Sequence, residues 1–253
     1  MESPHGAAVR AEDFGLKGPR GWAFRNVEFS AEPGALVAIE GPSGTGRTCL
    51  LLALTGRMRT TEGHAEVGGL QLPKQAAAVR RIAALGPVPA VSELDPAFTV
   101  AEHLGERSLL QGRYGTSLRT LLRPRAERRA AAEARVDEAL EAAGLDPAAL
   151  PKSGRTSVRD LERLEALRLS VALALIGKPH LLAVDDTDLK LSDAERAEAW
   201  ALLRSVAEAG TTVLAVCSEA PEDTHVVRTA PALAPAPTTE EETADAFAEA
   251  GRA

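Results

Sequence analysis

The chain has 253 residues, 45% hydrophobic and 26% charged, a balance that fits one globular α/β unit and excludes wholesale disorder, collagen-like repeats and a coiled coil. A formal charge of −7 argues against a broad basic face, so no nucleic-acid partner is expected. Cys49 and Cys217 are too far apart for CxxC spacing, and the five histidines are scattered, so no metal cluster is expected from either.

The opening MESPHGAAVRAEDFGLKGPRGW carries charges and glycines where a signal peptide needs an apolar run. The most apolar stretch, 169–176, falls far short of the ~18–20 residues of a membrane helix. A cytoplasmic place is expected, with any contact at the inner face of a membrane made through a partner. From Gly34, PGALVAIEGPSGTGRTCLLLALTG predicts an apolar strand, a glycine-rich turn and a helix beginning near Arg47. A short strand is expected at 65–67 and another at 79–85. Over 87–179 the texture turns to Ala, Arg, Glu and Leu at helical spacing, read as a helical insertion that includes RAERRAAAEARVDEALEAAGL and LERLEALRLSVALALIGKP. HLLAVDD then predicts a buried strand closing on two aspartates. LSDAERAEAWALLRSVAEAG predicts a helix with Ser192 as N-cap and Gly210 at its end, and TTVLAVCS a further strand. Strands alternating with helices imply a mainly parallel sheet. The core is expected over 1–86 and 180–230, one domain with its insertion, and 231–253 reads as a Pro/Ala-rich, acidic, solvated tail.

The turn GPSGTGRT has the GxxxxGK[ST] spacing of a P-loop, with arginine for lysine. Its glycines let backbone N–H groups and a helix N-terminus point at one anion. Thr48 supplies a hydroxyl suited to Mg²⁺. Asp185 ends an apolar strand, where a Walker-B carboxylate holds Mg²⁺, and Asp186 follows as the candidate base. The bland alternative is that both aspartates cap the next turn.

In this order these features resemble the ATP-binding cassette (ABC) transporter ATPase family over about 24–227. The resemblance implies a P-loop NTPase fold with an α-helical subdomain, ATP and Mg²⁺ as ligands, a separately encoded membrane permease, and a homodimer or heterodimer of cassettes sandwiching two ATP. It assigns the nucleotide to Gly41, Pro42, Ser43, Gly44, Thr45, Gly46, Arg47, Thr48 and Cys49, Mg²⁺ to Thr48 and Asp185, and adenine stacking to Trp22 or Phe14. It also exposes departures. Arg47 replaces lysine, and Pro87 stands near the expected glutamine. LERLE at 161–165 keeps only the leucine of the signature, Asp186 replaces glutamate, Ser192 replaces aspartate, and Ser218 stands at the switch histidine. A shortened carboxylate at 186 and a planar guanidinium at 47 imply binding with weak or absent hydrolysis. The alternative is a non-enzymatic regulatory or interaction module that retains the fold. A P-loop kinase or GTPase is disfavoured, since no guanine-reading NKxD appears. Cys49, at a helix N-terminus, is either a thiol of lowered pKa or a small buried residue. The basic cluster 123–129 reads as a solvated helix start, with partner or lipid contact as the alternative.

Overall fold

The computed structural model describes residues 5–19, 21–114 and 124–229. Two strands come first, β1 (Val9–Gly18) and β2 (Gly21–Ala31), paired antiparallel and closing at Gly18 and Gly21. Neither is apparent in the alternation of the sequence. Asp13 adopts a left-handed φ of 47° and the register slips between Ala11 and Phe14, so the inward set jumps from Val9 and Ala11 to Phe14 and breaks the two-residue period.

Next come β3 (Leu36–Glu40) and α1 (Arg47–Leu54), joined by the glycine-rich turn where the sequence places it. β4 (Glu62–Val67) and β5 (Leu70–Leu72) complete an antiparallel sheet of order β2-β1-β4-β5. The expected strand at 79–85 is corrected. Its first part belongs to a helix, α2 (Ala76–Ile82), and only β6 (Ala83–Leu85) is extended. Three consecutive alanines from Ala76 favour the helix, and Arg80 and Arg81 in its last turn complement the negative end of its dipole.

Between β6 and the next strand lie α3 (Val100–Tyr114), α4 (Arg125–Ala142), three short 3₁₀ turns and α5 (Arg163–Leu175). The chain then alternates through β7 (Leu181–Val184), α6 (Asp193–Glu208), β8 (Thr212–Cys217) and β9 (His225–Arg228). Ser192 caps α6 as expected. The Glu195 carboxylate accepts from its N–H at 2.8 Å, while the Ser192 hydroxyl accepts from the N–H of Glu195 at 3.3 Å. The acidic tail expected at 231–253 lies outside the described residues.

A five-stranded parallel sheet of order β6-β7-β8-β3-β9 forms the centre, confirming the parallel sheet and setting beside it an antiparallel one that the sequence does not reveal. Alternate residues of its strands feed two cores. Val37, Ile39, Leu181, Ala183, Leu214 and Val216 pack with α1 and the antiparallel sheet. Ala38, Leu182, Val184, Val213 and Ala215 pack with α5 and α6. Every residue of β7 and β8 is buried, which is why these strands read as continuous apolar runs. Among the described residues, no helix is long and apolar enough to cross a membrane.

Candidate phosphate-binding site

The C-terminal ends of β3, β7 and β8 lie side by side and deliver the glycine-rich turn, Asp185 and Ser218 to one edge of the sheet. In an open parallel sheet this edge is where ligands sit. Two hydrogen bonds and two close glycine contacts shape the turn. The Thr45 hydroxyl, 3% exposed, donates to the Pro42 carbonyl at 2.8 Å and lies 2.7 Å from the Thr229 hydroxyl, so the loop is pinned to the chain just after β9. Gly41 is crowded: a Cβ there would fall 2.5 Å from Thr229 Oγ1. Gly46 has φ 78°, and a Cβ there would fall 2.0 Å from the Ala23 carbonyl oxygen, so only glycine lets α1 start against β2. Gly44 also has positive φ but faces open space.

At the start of α1 the Thr48 hydroxyl donates to Asp185 Oδ2 at 2.7 Å, although 137 residues separate them. The other carboxylate oxygen, Oδ1, accepts the N–H of Asp186 at 2.9 Å. Burial pushes the Asp185 carboxyl above the usual carboxylate range against the stabilising Thr48 hydroxyl, and the neighbouring Asp186 pushes the same way. A hydroxyl and a carboxylate so placed form an all-oxygen donor pair, the chemistry Mg²⁺ prefers. Among the described residues no group of three His, Cys, Asp or Glu is gathered for a metal.

Arg47 takes a course that the spacing did not foretell. Its Nη1 donates to the Cys217 carbonyl oxygen at 2.5 Å, at the end of β8. The N–H of the same peptide, that of Ser218, donates to Asp188 Oδ2 at 2.7 Å. One peptide unit is thus held at both polar ends, by the phosphate turn and by the segment after β7. Thr187 adds a third tie, donating its hydroxyl to the Val216 carbonyl at 2.8 Å. Asp188, Thr187 and Thr229 were not among the expected site residues, because nothing in their local spacing reveals partners tens of residues away.

Asp186 has φ 50°, a left-handed conformation aspartate tolerates, and lines a cavity of about 370 Å³ with Glu93, Arg163 and Ser170. Ser192, at the expected D-loop aspartate, serves as the α6 cap, and at the expected signature Glu165 accepts from the Glu162 N–H at 2.9 Å, capping α5. Pro87, at the expected glutamine, accepts the Asp185 N–H at 2.9 Å through its carbonyl.

The structure decides between two pairs of alternatives that the sequence leaves open. Phe14 is fully buried against Phe24, centroids 5.8 Å apart, and has no free face for an adenine. The Cys49 thiol is not acidic: burial, then the charge of Asp185, raises its pKa. Cys217 is pushed up to about 12, chiefly by burial. Trp22 precedes Ala23, whose carbonyl abuts Gly46; its ring lies 4.7 Å from the Arg25 guanidinium and 5.5 Å from the Lys17 ammonium.

Residues 24–188 match the family model described as ABC transporter. The chain is 33% identical over 190 residues to the Nod factor export ATP-binding protein I of Cupriavidus metallidurans, covering 75% of this chain and 55% of that protein. It is 32% identical over 193 residues to the daunorubicin resistance ATP-binding protein DrrA3 of Streptomyces coeruleorubidus, covering 76% and 54%. The chain therefore spans about half the length of the curated relatives it matches. Among solved structures, the ATP-binding cassette MJ0796 bound to ADP and Pi aligns with TM-score 0.63 at 22% identity, covering 83% of this chain and 88% of that one. A bacterial Atm1-family ABC exporter with ATP bound aligns with TM-score 0.65 at 22%, covering 91% and 38%. At these identities the likeness establishes the fold.

Proposed function

Because this chain belongs to the ABC transporter family of ATP-binding proteins, we propose that it binds ATP with Mg²⁺ as the nucleotide-binding subunit of a membrane transport complex, and that it hydrolyses ATP slowly or not at all. The observation that carries the proposal is the Thr48 hydroxyl set on the Asp185 carboxylate beneath a glycine-rich turn at a helix N-terminus. Backbone N–H groups of residues 41–48 would cradle the phosphates, with the α1 N-terminus adding its positive end. Thr48 and Asp185 would ligate Mg²⁺, whose bound charge neutralises the phosphate oxygens. Trp22 stays the candidate adenine platform, reached once Arg25 swings off its face.

Weak turnover follows from the side chains present. Asp186 is one methylene shorter than a glutamate and would sit about 1.5 Å short of an attacking water, enough to lower the rate steeply. Arg47 is engaged with Cys217, so its charge is not free for a γ-phosphate. The partner is a separately encoded permease, contacted by a homodimer or a heterodimer with a second cassette. Relatives named for export or resistance make an exporting complex the class to test first.

A second reading, an interaction module without nucleotide turnover, draws on the same geometry: Thr48 and Asp185 satisfy each other, and Arg47 is satisfied by a carbonyl. Calorimetric titration of the full chain with ATP and Mg²⁺, against the Thr48→Ala/Asp185→Ala double variant, separates the two. Micromolar binding lost in the variant supports the first reading. No binding up to millimolar ATP leaves the second. A steady ATPase rate at ordinary family levels would refute weak hydrolysis.

A further inference from the structure

A cavity of about 380 Å³ opens at the end of the parallel sheet opposite the phosphate turn. Pro179 and Thr211, which line it, stand just before β7 and β8, and these strands run parallel to β3, whose far end leads into the turn. The remaining lining comes from α4, from the last turns of α5 and α6 and from His5, so the cavity joins the helical insertion to the base of the sheet. None of the lining residues belongs to the phosphate turn, and an occupant here would be independent of the nucleotide.

α4 turns one face to the cavity, since Arg135, Glu138, Ala139 and Ala142 follow the spacing i, i+3, i+4, i+7. Two of its polar neighbours satisfy each other. The Lys178 ammonium lies 2.9 Å from Glu138 Oε1 and 2.8 Å from Oε2, which neutralises both groups. Arg135 has no such partner. Among the described residues it forms no ion pair, and its Nε is buried without a hydrogen-bond acceptor. A buried donor left unmade is costly, and it marks a place where an acceptor belongs. Around that donor the lining is apolar: Ala139 is 4% exposed and Val206 3% exposed, with Leu175 completing the wall. Alanine at 139, 142 and 209 leaves the space open, because longer side chains there would fill it.

We infer that this cavity binds an amphipathic monocarboxylate, its head on the Arg135 guanidinium and its apolar body along Ala139, Leu175 and Val206. A guanidinium presents parallel N–H groups that match the two oxygens of one carboxylate. With Lys178 held by Glu138, a single negative charge balances Arg135, whereas a dianion such as phosphate would bring excess charge towards the Glu138 carboxylate. A small hydrophilic anion would leave the apolar wall uncovered. The volume falls in the range of small-molecule pockets, ~300–1,000 Å³, which are mostly apolar with a few placed polar groups.

The probe is sodium octanoate, titrated into the ¹⁵N-labelled full chain and followed by NMR at the amides of Ala142 and Thr211, with acetate, 1-octanol and inorganic phosphate as comparisons. Octanoate should bind at least about tenfold tighter than acetate, which lacks the body, and than octanol, which lacks the charge. Arg135→Gln should weaken octanoate about tenfold. Ala142→Leu, at the exposed end of α4, should abolish the advantage of octanoate over acetate by filling the space. Octanoate binding no tighter than octanol or acetate would overturn the proposal, as would an affinity untouched by Arg135→Gln. Phosphate binding as tightly as octanoate would overturn it too, because it would mark a small-anion site. If Arg135→Gln fails to fold, Ala142→Leu decides alone: octanoate affinity that survives it places the ligand elsewhere and refutes the assignment.

Discussion

Replacing Arg47 by lysine should weaken the fold and tighten ATP binding together. In the structure the guanidinium spends one donor on the Cys217 carbonyl, a charge-assisted hydrogen bond worth about 1.5–3 kcal/mol. A phosphate that recruits Arg47 must first break that bond, so the affinity for ATP·Mg²⁺ is reduced by a comparable amount; at about 1.4 kcal/mol per decade this is roughly tenfold or more. Lysine ends in a compact ammonium with no second fork to grip Cys217, and it lies free to approach the β and γ phosphates. Arg47→Lys is therefore expected to bind ATP·Mg²⁺ about tenfold tighter by calorimetry. In the same protein the lost tie should lower Tm by about 3–12 °C. A folded variant whose affinity is unchanged or weaker would refute the reasoning, because it would mean that the Cys217 bond does not compete with phosphate.

Asp185→Asn should raise thermal stability at neutral pH while abolishing Mg²⁺-dependent ATP binding. The folded carboxyl has a raised pKa, so the native state binds more protons than the unfolded chain, and stability falls as pH rises from the ordinary carboxylate value of ~3.9 towards the folded one. The gap in Tm between variant and wild type should open across that window; a constant gap would contradict it. Gly46→Ala should lose more than about 3 kcal/mol in urea denaturation, since its Cβ meets the Ala23 carbonyl, whereas Gly44→Ala, with open space, should lose only the ~1–2 kcal/mol of left-handed strain. Equal losses would mean that the β2 contact is not what demands glycine. Ser192→Ala removes the α6 cap and should lower stability by about 1 kcal/mol, read from the same denaturation curves.

The sequence carried the parallel core because its information there is local. β3, β7 and β8 are buried on both faces and read as apolar runs, and the turn between β3 and α1 is spelled by glycines with fixed spacing. The antiparallel sheet was illegible for the opposite reason: β1 changes register within itself, and its inward residues are fixed by pairing with β2 and β4. At 79–85 apolar residues alone could not decide between strand and helix, and the alanines just upstream settled it. In the site, Thr48 and Asp185 were legible as motif members. Their mutual bond required the sheet to bring the ends of β3 and β7 together, and no local pattern encodes the grip of Thr229 on the phosphate turn.

Position 47 is the clearest case of a residue whose meaning changes with the fold. Judged by its reach to a phosphate, arginine there is a loss. Set beside Cys217 and Ser218, it belongs to a clamp: Arg47 takes the carbonyl of that peptide and Asp188 takes its N–H, so the phosphate turn and the segment following β7 both bear on the last turn of β8. Positions 47 and 218 are thereby physically connected, since the Arg47 side chain reaches the strand end that leads into Ser218. A change at either must be felt at the other through one peptide plane. Lysine at 47 would free that plane at its carbonyl while Asp188 still holds its N–H and Thr187 the Val216 carbonyl before it. On the proposed reading, a substitution at 47 should change phosphate affinity and the hydrogen-exchange protection of the Ser218 N–H together, and a change in one without the other would refute the link.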